Sequence, residues 1–470
     1  MPFNDDENKY IRECNIEINC YEVKIYQPKL DDGYILDGYG TIRLNEYGAL
    51  YIDFVCLKSN KRVSAWEGSI PQDYISEDQI LVMEAKELSG REIYAEDIQI
   101  NPTMQDSMTH SLIKYRLGLR EISISEELNL DQDIKNSLYF EFNEKCSIPK
   151  NKINEYESTH GYSSSSWDQT VLNYENIEIN IITHDEYMSV SALGNDLELD
   201  KLREAVIFYL NLTSGRYVQP YYEKHIENSK LVTKLKSIDK DLIHRNIPPP
   251  ISGYEFGPNK DNPHIELFNN ICSVYFNNES IYESVYSQWK RVWFALLSPE
   301  NSVPKLTLSV AVEGLLNDIF IPKISKKIRD MEFEEEKKSI ILQLKSLDEI
   351  SEDHMNTITS FVEKWGNVHA KKAIDYLVGE KVLEKSQQEA WSKLRNSSTH
   401  PKLIKIDEAR IRKDQHRTVI CLGLFYRLTL NVFSYNGAQF TFDKPKANKL
   451  ALYKYVNILN LIKRVGDKSK

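Results

Sequence analysis

The sequence predicts an α+β protein of more than one domain, with a β-rich N-terminal module followed by an all-α helical bundle. Three observations carry that expectation. Up to about residue 190, short runs rich in Tyr, Ile, Val and Phe alternate with polar turn residues, the signature of several short strands. From His264 onward, apolar residues recur at helical intervals. Between the two, Pro248, Pro249, Pro250, Gly253, Gly257, Pro258 and Pro263 form the clearest linker in the chain. A chain of 470 residues exceeds one ordinary core, so two or three domains are expected. We divide it into a β-rich module (1–190), a mixed α/β connector ending in the linker (191–263) and a helical domain (264–470).

In the first module, Tyr21–Tyr26, Ala49–Leu57, Gln79–Glu84, Glu92–Ile100, Ser111–Ile124 and Ser137–Phe142 are the expected strands, suited to a sandwich or barrel-like arrangement. The serine run Ser163–Ser166 is expected to be a mobile loop. Leu197–Leu212 reads as a helix stopped by Thr213-Ser214-Gly215, with a strand expected at Arg216–Tyr222. Further on, Ile281–Leu297, Leu306–Ile319, the charged Ile324–Leu347, Thr357–Val368 and Val382–Leu394 read as helices. Glu408–Phe433 is the longest expected helix. Its second half is apolar almost all round, which assigns it to the centre of a bundle, and Tyr435-Asn436-Gly437 is its stop.

Composition excludes several classes. Six cysteines are scattered without a CxxC pair, which fits neither a disulfide framework nor a zinc site and points to a reducing cytoplasm. The polar, acidic start from Met1 to Tyr10 does not read as a signal peptide, and Val419–Val432, interrupted by Arg427, is too short to span a bilayer. Walker, dinucleotide-binding and GxSxG patterns are absent, and no cofactor or metal is expected. The net charge of −11 is unevenly spread: residues 301–470 hold 30 Lys+Arg against 21 Asp+Glu, and the rest of the chain 29 against 49. An acidic body thus carries a basic C-terminal domain, to which a polyanion would be drawn.

Within that domain lies Arg395-Asn396-Ser397-Ser398-Thr399-His400. A guanidinium offers a planar fork of donors to a phosphate, and an imidazole moves protons near neutral pH. The spacing alone is weak. With ten His and 17 Arg in the chain, about one Arg–His pair at such spacing is expected by chance. Two occur, the other being Arg410 and His416. Context separates them. Arg395 falls one turn after Trp391, at the margin of the apolar stripe Leu383, Ala390, Trp391 and Leu394, while Ser397–Thr399 and Pro401 disfavour helix beyond it. A turn there would bring His400 back toward Arg395, and the Asn396 amide could hold a phosphate oxygen or fix the turn. Arg410 and His416 lie in an unbroken helical pattern and point about 120° apart. Lys393, Lys402, Lys405, Arg410, Arg412 and Lys413 crowd this corner as candidate RNA contacts. A solvated basic face is the plainer interpretation of the same run. His369 is expected to be a loop or packing residue.

The C-terminal half resembles the HEPN superfamily of ribonucleases. The features that carry the resemblance are Arg395-Asn396 with His400, the Trp391-bearing helix before them, the long apolar helix after them, and Val312-Glu313-Gly314-Leu315-Leu316, similar to the superfamily's first core helix with its acidic residue. The whole chain is similar to the ApeA-type antiphage HEPN proteins, which join a β-rich N-terminal module to a C-terminal HEPN domain. The resemblance implies abortive infection by metal-independent RNA cleavage in the cytoplasm, without a membrane partner. Arg395 would bind the scissile phosphate, His400 would act as general base or acid in 2′-hydroxyl attack, and Asn396 would support Arg395 or the phosphate. Glu313 would orient Arg395, a simple ion pair being equally expected. Also implied are an RNA substrate, tRNA among the candidates, a homodimer or higher homo-oligomer with a composite site, and a phage-derived trigger, with the acidic N-terminal module as its sensor or as a restraint on the basic corner. Two alternatives stand beside it: a non-catalytic HEPN module for nucleic-acid binding or dimerisation, and the toxin of a toxin–antitoxin pair.

Overall fold

The computed structural model describes residues 5–61, 79–100, 113–127, 136–157, 163–194, 198–227, 230–253, 263–300, 302–328, 331–346, 351–364, 367–399, 408–442 and 450–452. They form two compact units. One comprises the residues up to Asn211 with Arg216–Asn246, the other Leu212–Gly215 and the residues from Ile247 on.

The first unit opens with helix α1 (Asp5–Arg12) and strands β1 (Ile16–Tyr26), β2 (Ile35–Leu44), β3 (Leu50–Ser59), β4 (Val82–Glu87), β5 (Glu92–Ala95), β6 (Gln99–Ile100), β7 (Ile113–Leu119), β8 (Glu121–Glu127) and β9 (Asn136–Phe142). Strands β10 (Lys152–Glu157), β11 (Ser163–Tyr174), β12 (Ile177–Thr183) and β13 (Met188–Gly194) lead to helix α2 (Leu199–Ser214) and the hairpin β14 (Tyr222–Glu227) and β15 (Lys230–Lys236), which a short α3 (Lys240–Ile243) follows. All fifteen strands belong to one antiparallel sheet.

Part of that sheet closes on itself. β8 pairs with β5, β5 with β4, β4 with β1, β1 with β2, β2 with β3 and β3 with β7, and β7 runs directly into β8 through Arg120. The period-two pattern explains why: along β3, Leu50, Ile52, Phe54 and Cys56 are buried while the residues between them are not. Their partners in one core include Ile18, Ile25, Leu36, Ile42, Met83, Leu117 and Ile124. From β8 the sheet continues through β15, β14, β9, β13, β12 and β11 to β10.

The structure differs from the sequence expectations at three places here. β2 is not among the expected strands, and its Gly38 and Gly40 do not mark turns. They are instead places of close strand approach, where an added Cβ would lie 1.9 Å from the Val55 carbonyl and 2.7 Å from that of Asp53. The serine run is not a loop but the start of β11, where Ser163–Ser166 pair with Asn154–Glu157 of β10, since a backbone ladder needs no apolar side chain to form. The expected strand over 216–222 is extended chain that becomes strand only at Tyr222.

The second unit is helical: α4 (Pro263–Asn277), α5 (Glu279–Leu296), α6 (Ser302–Leu315), a π-turn over Leu316–Phe320, α7 (Ile321–Ile328), α8 (Met331–Lys345), α9 (Glu352–Glu363), α10 (Ala370–Gly379), α11 (Lys385–Thr399) and α12 (Glu408–Val432), followed by a small hairpin, β16 (Ala438–Phe440) and β17 (Leu450–Leu452). Within the range expected as one long charged helix, Ile324–Leu347, the described residues are helical in α7 and α8, and residues 329–330 between them lie outside the described residues. The chain turns at the end of α12 on Ser434, whose φ of 58° takes the left-handed role that glycine usually fills. Residues Ile420–Val432 of α12 are all buried, as is Phe433 just after it. Even Arg427 is only 6% exposed, and its Nη1 lies 4.0 Å from Glu384 Oε1. At the other end of the linker, Gly215 (φ 67°) ends α2, and its carbonyl accepts from both Ile247 N and Trp293 Nε1 at 2.9 Å. No helix among the described residues is long and apolar enough to cross a membrane.

Candidate functional site

Two helices build the candidate site. α11 is amphipathic, and it buries Ala390, Trp391 and Leu394 while Lys393, Asn396 and Ser397 face outward. Ser397–Thr399 were expected to disfavour helix, but α11 continues through them to Thr399, with Ser397 Oγ bonded back to the Leu394 carbonyl at 2.9 Å. α6 buries Leu308, Ser309, Ala311, Val312 and Leu315.

Two rungs join them. Trp391, 1% exposed, donates its indole N–H to the Ser309 carbonyl at 3.1 Å. One turn on, Arg395 donates Nε and Nη2 to the two oxygens of Glu313, both at 2.9 Å. Each rung steps by four residues on both helices, so α6 and α11 lie side by side and run in the same direction. The guanidinium carbon also stands 5.7 Å from the Trp391 ring centroid, within cation–π reach. A fork-on-fork ion pair fixes the plane of the guanidinium, and the indole limits its tilt. The pair is not buried: the side chains of Arg395 and Glu313 are 42% and 30% exposed, so the arginine is held in place while open to solvent.

The remaining sequence candidates divide by position. Asn396 is exposed and its side chain makes no hydrogen bond with a described residue. Lys393 is exposed and lies 3.6 Å from Glu389 on its own helix. Arg410, Arg412 and Lys413 stand on the first turns of α12. There Arg412 reaches Glu408 at 3.2 Å. His400, Lys402 and Lys405 lie outside the described residues. His416 is exposed on α12, in the same unbroken helix as Arg410. His369 caps α10, its Nδ1 accepting from Lys372 N at 3.4 Å.

Sequence reasoning missed part of the site's support. Asp414 on α12 gathers Lys305 of α6 at 3.3 Å and Arg417 at 3.1 Å, which joins a third helix to the basic corner. Trp391 was read as a core residue only. Its position four residues before Arg395 was the available signal that it also touches the guanidinium. No family model, curated protein or solved structure matches this chain. Among the described residues, no group of three His, Cys, Asp or Glu side chains is placed to hold a metal ion.

Proposed function

We propose that this chain is a HEPN-type endoribonuclease of antiphage defence, cleaving RNA by attack of the substrate's own 2′-hydroxyl. The observation that carries the reading is the oriented, half-open Arg395, gripped by Glu313 and set on the last described turns of α11, five residues before His400 in the sequence. In the reaction, the 2′-oxygen bonds to phosphorus and the bond from phosphorus to the 5′-oxygen breaks. The products are a 2′,3′-cyclic phosphate and a 5′-hydroxyl. Arg395 stabilises the charge that grows on the phosphoryl oxygens. His400 removes the 2′-hydroxyl proton or returns a proton to the departing 5′-oxygen. The cations of α11 and α12 supply the sequence-independent attraction for the RNA backbone.

One observation favours a second reading. Glu313 engages two donors of Arg395, which is also how an ion pair would tie α6 to α11 in a nucleic-acid-binding or dimerisation module. Paired substitution separates the two. Arg395→Ala and His400→Ala should each abolish RNA cleavage, in the presence of EDTA, with thermal midpoint and oligomeric state close to wild type. Unfolding of both variants, or cleavage that survives both, would favour the tie.

A further inference from the structure

The geometry points to Asn317 as a further substrate-contacting residue, whose amide donates to an RNA phosphate oxygen beside Arg395. The inference rests on the ribonuclease reading and adds a residue to the same site. The rungs on α6 are Ser309 and Glu313, and the next position on that face is Asn317. Four residues of α-helix leave it about 40° from Glu313, and the wider turn of a π segment takes back part of that angle.

The opposite flank of α6 shows that the four-residue register survives the π-turn. Gly314 faces α5, where an added Cβ would meet Gln288 Nε2 at 2.7 Å, and four residues later Asp318 accepts from Ser284 Oγ at 2.8 Å. Gln288 and Ser284 are themselves one turn apart on α5. Since Gly314 and Asp318 both face α5, Glu313 and Asn317, each one residue earlier, share the flank that carries Arg395. Asn317 is exposed and its carboxamide makes no hydrogen bond with a described residue, whereas the π-turn buries Leu316, Ile319 and Phe320. The wide turn is thus anchored by three apolar residues and by Asp318, while it holds an unengaged carboxamide one helical turn beyond the Glu313–Arg395 rung. An amide donor there adds a neutral contact to a charged oxygen, where a second carboxylate would repel the substrate.

The test uses the full chain, an RNA oligonucleotide that wild type cleaves, and its 2′-deoxy analogue as an uncleavable ligand. Asn317→Ala should lower kcat/KM by about 10- to 100-fold, as expected for losing a hydrogen bond to a charged group. Asn317→Asp should weaken binding of the analogue further, and Asn317→Ser should fall between wild type and Ala. Thermal midpoints should stay at the wild-type value. If all three variants cleave and bind like wild type while Arg395→Ala is inactive, the assignment of Asn317 is overturned and the ribonuclease reading stands. Loss of activity that merely tracks a lowered midpoint overturns it too. If wild type binds RNA without cutting it, unchanged binding in Asn317→Asp overturns the assignment. A wild-type chain that neither cuts nor binds RNA removes both.

Discussion

Replacing Glu313 by Gln separates orientation from attraction at the site. The substitution keeps the shape of the side chain but removes the charge and one of the two acceptors that Arg395 Nε and Nη2 now use at 2.9 Å. The stability cost should be small. With Arg395 42% and Glu313 30% exposed, solvent screens the pair, and a contribution of about 0.2–1 kcal/mol is expected. That amounts to a shift of at most about 4 °C in the midpoint of the helical unit. The effect on RNA is larger and has two signs. A phosphate gripped by Arg395 would place its charge about 7 Å from the carboxylate, where the repulsion is about 0.6 kcal/mol at the dielectric of water and about 2.4 at an effective value of 20. Removing it should tighten ground-state binding by a few-fold. The guanidinium, freed to rotate, should lose its alignment with the developing charge, and misplacement by about 1 Å costs on the order of 100-fold in rate. The variant should therefore show KM unchanged or lowered with kcat reduced by about 10- to 100-fold, measured by steady-state cleavage of a labelled oligonucleotide beside thermal melts. A variant with wild-type kcat, or one whose midpoint drops by much more than 4 °C, would refute the reasoning.

Two further outcomes concern the scaffold. Glu144 is 1% exposed; its Oε1 accepts from Gln219 N at 3.0 Å while its Oε2 has no partner among the described residues, and burial pushes its carboxyl up to about 8. The unfolded carboxyl ionises near 4.3, so the folded chain holds the extra proton between those values and this group's contribution to stability is lost as pH rises from about 4 to about 8. Glu144→Gln should melt above wild type at pH 8 and match it near pH 4, as read by circular dichroism across that range; an equal difference at both pH values would contradict this. Gly215→Ala should destabilise by about 2 kcal/mol or more, since φ is 67° and the new Cβ would lie 2.1 Å from the Ile247 carbonyl. Urea titration measures it, and an unchanged midpoint would count against the assigned backbone.

What the sequence disclosed follows from the range of each signal. The helices at α5, α6 and α12 were legible because a 3.6-residue period repeats over fourteen or more residues in each. β2 was hidden by Gly38 and Gly40, whose reason for being glycine is a neighbouring strand that no local window contains. The ten-residue α10 fell between two longer expected elements, and a π-turn leaves no mark in apolar spacing. At the site, the local pattern set Arg395 at the edge of a stripe, while the choice of Glu313 came from the family resemblance. Their meeting spans 82 positions of sequence and is fixed by how α6 and α11 pack, which is tertiary information. The same holds for Ser309, whose part is played by a backbone carbonyl and so carries no side-chain signature.

An oriented guanidinium that works on a phosphodiester leaves its signature in the ends of the cut RNA. Purified wild-type protein should be incubated with RNA in EDTA and the new termini sequenced by a protocol that distinguishes cyclic phosphates. The account predicts 5′-hydroxyl and 2′,3′-cyclic phosphate ends at defined sites, absent with Arg395→Ala and with His400→Ala. Intact RNA from a folded wild-type protein, or ends carrying 5′-phosphate and 3′-hydroxyl, would contradict it.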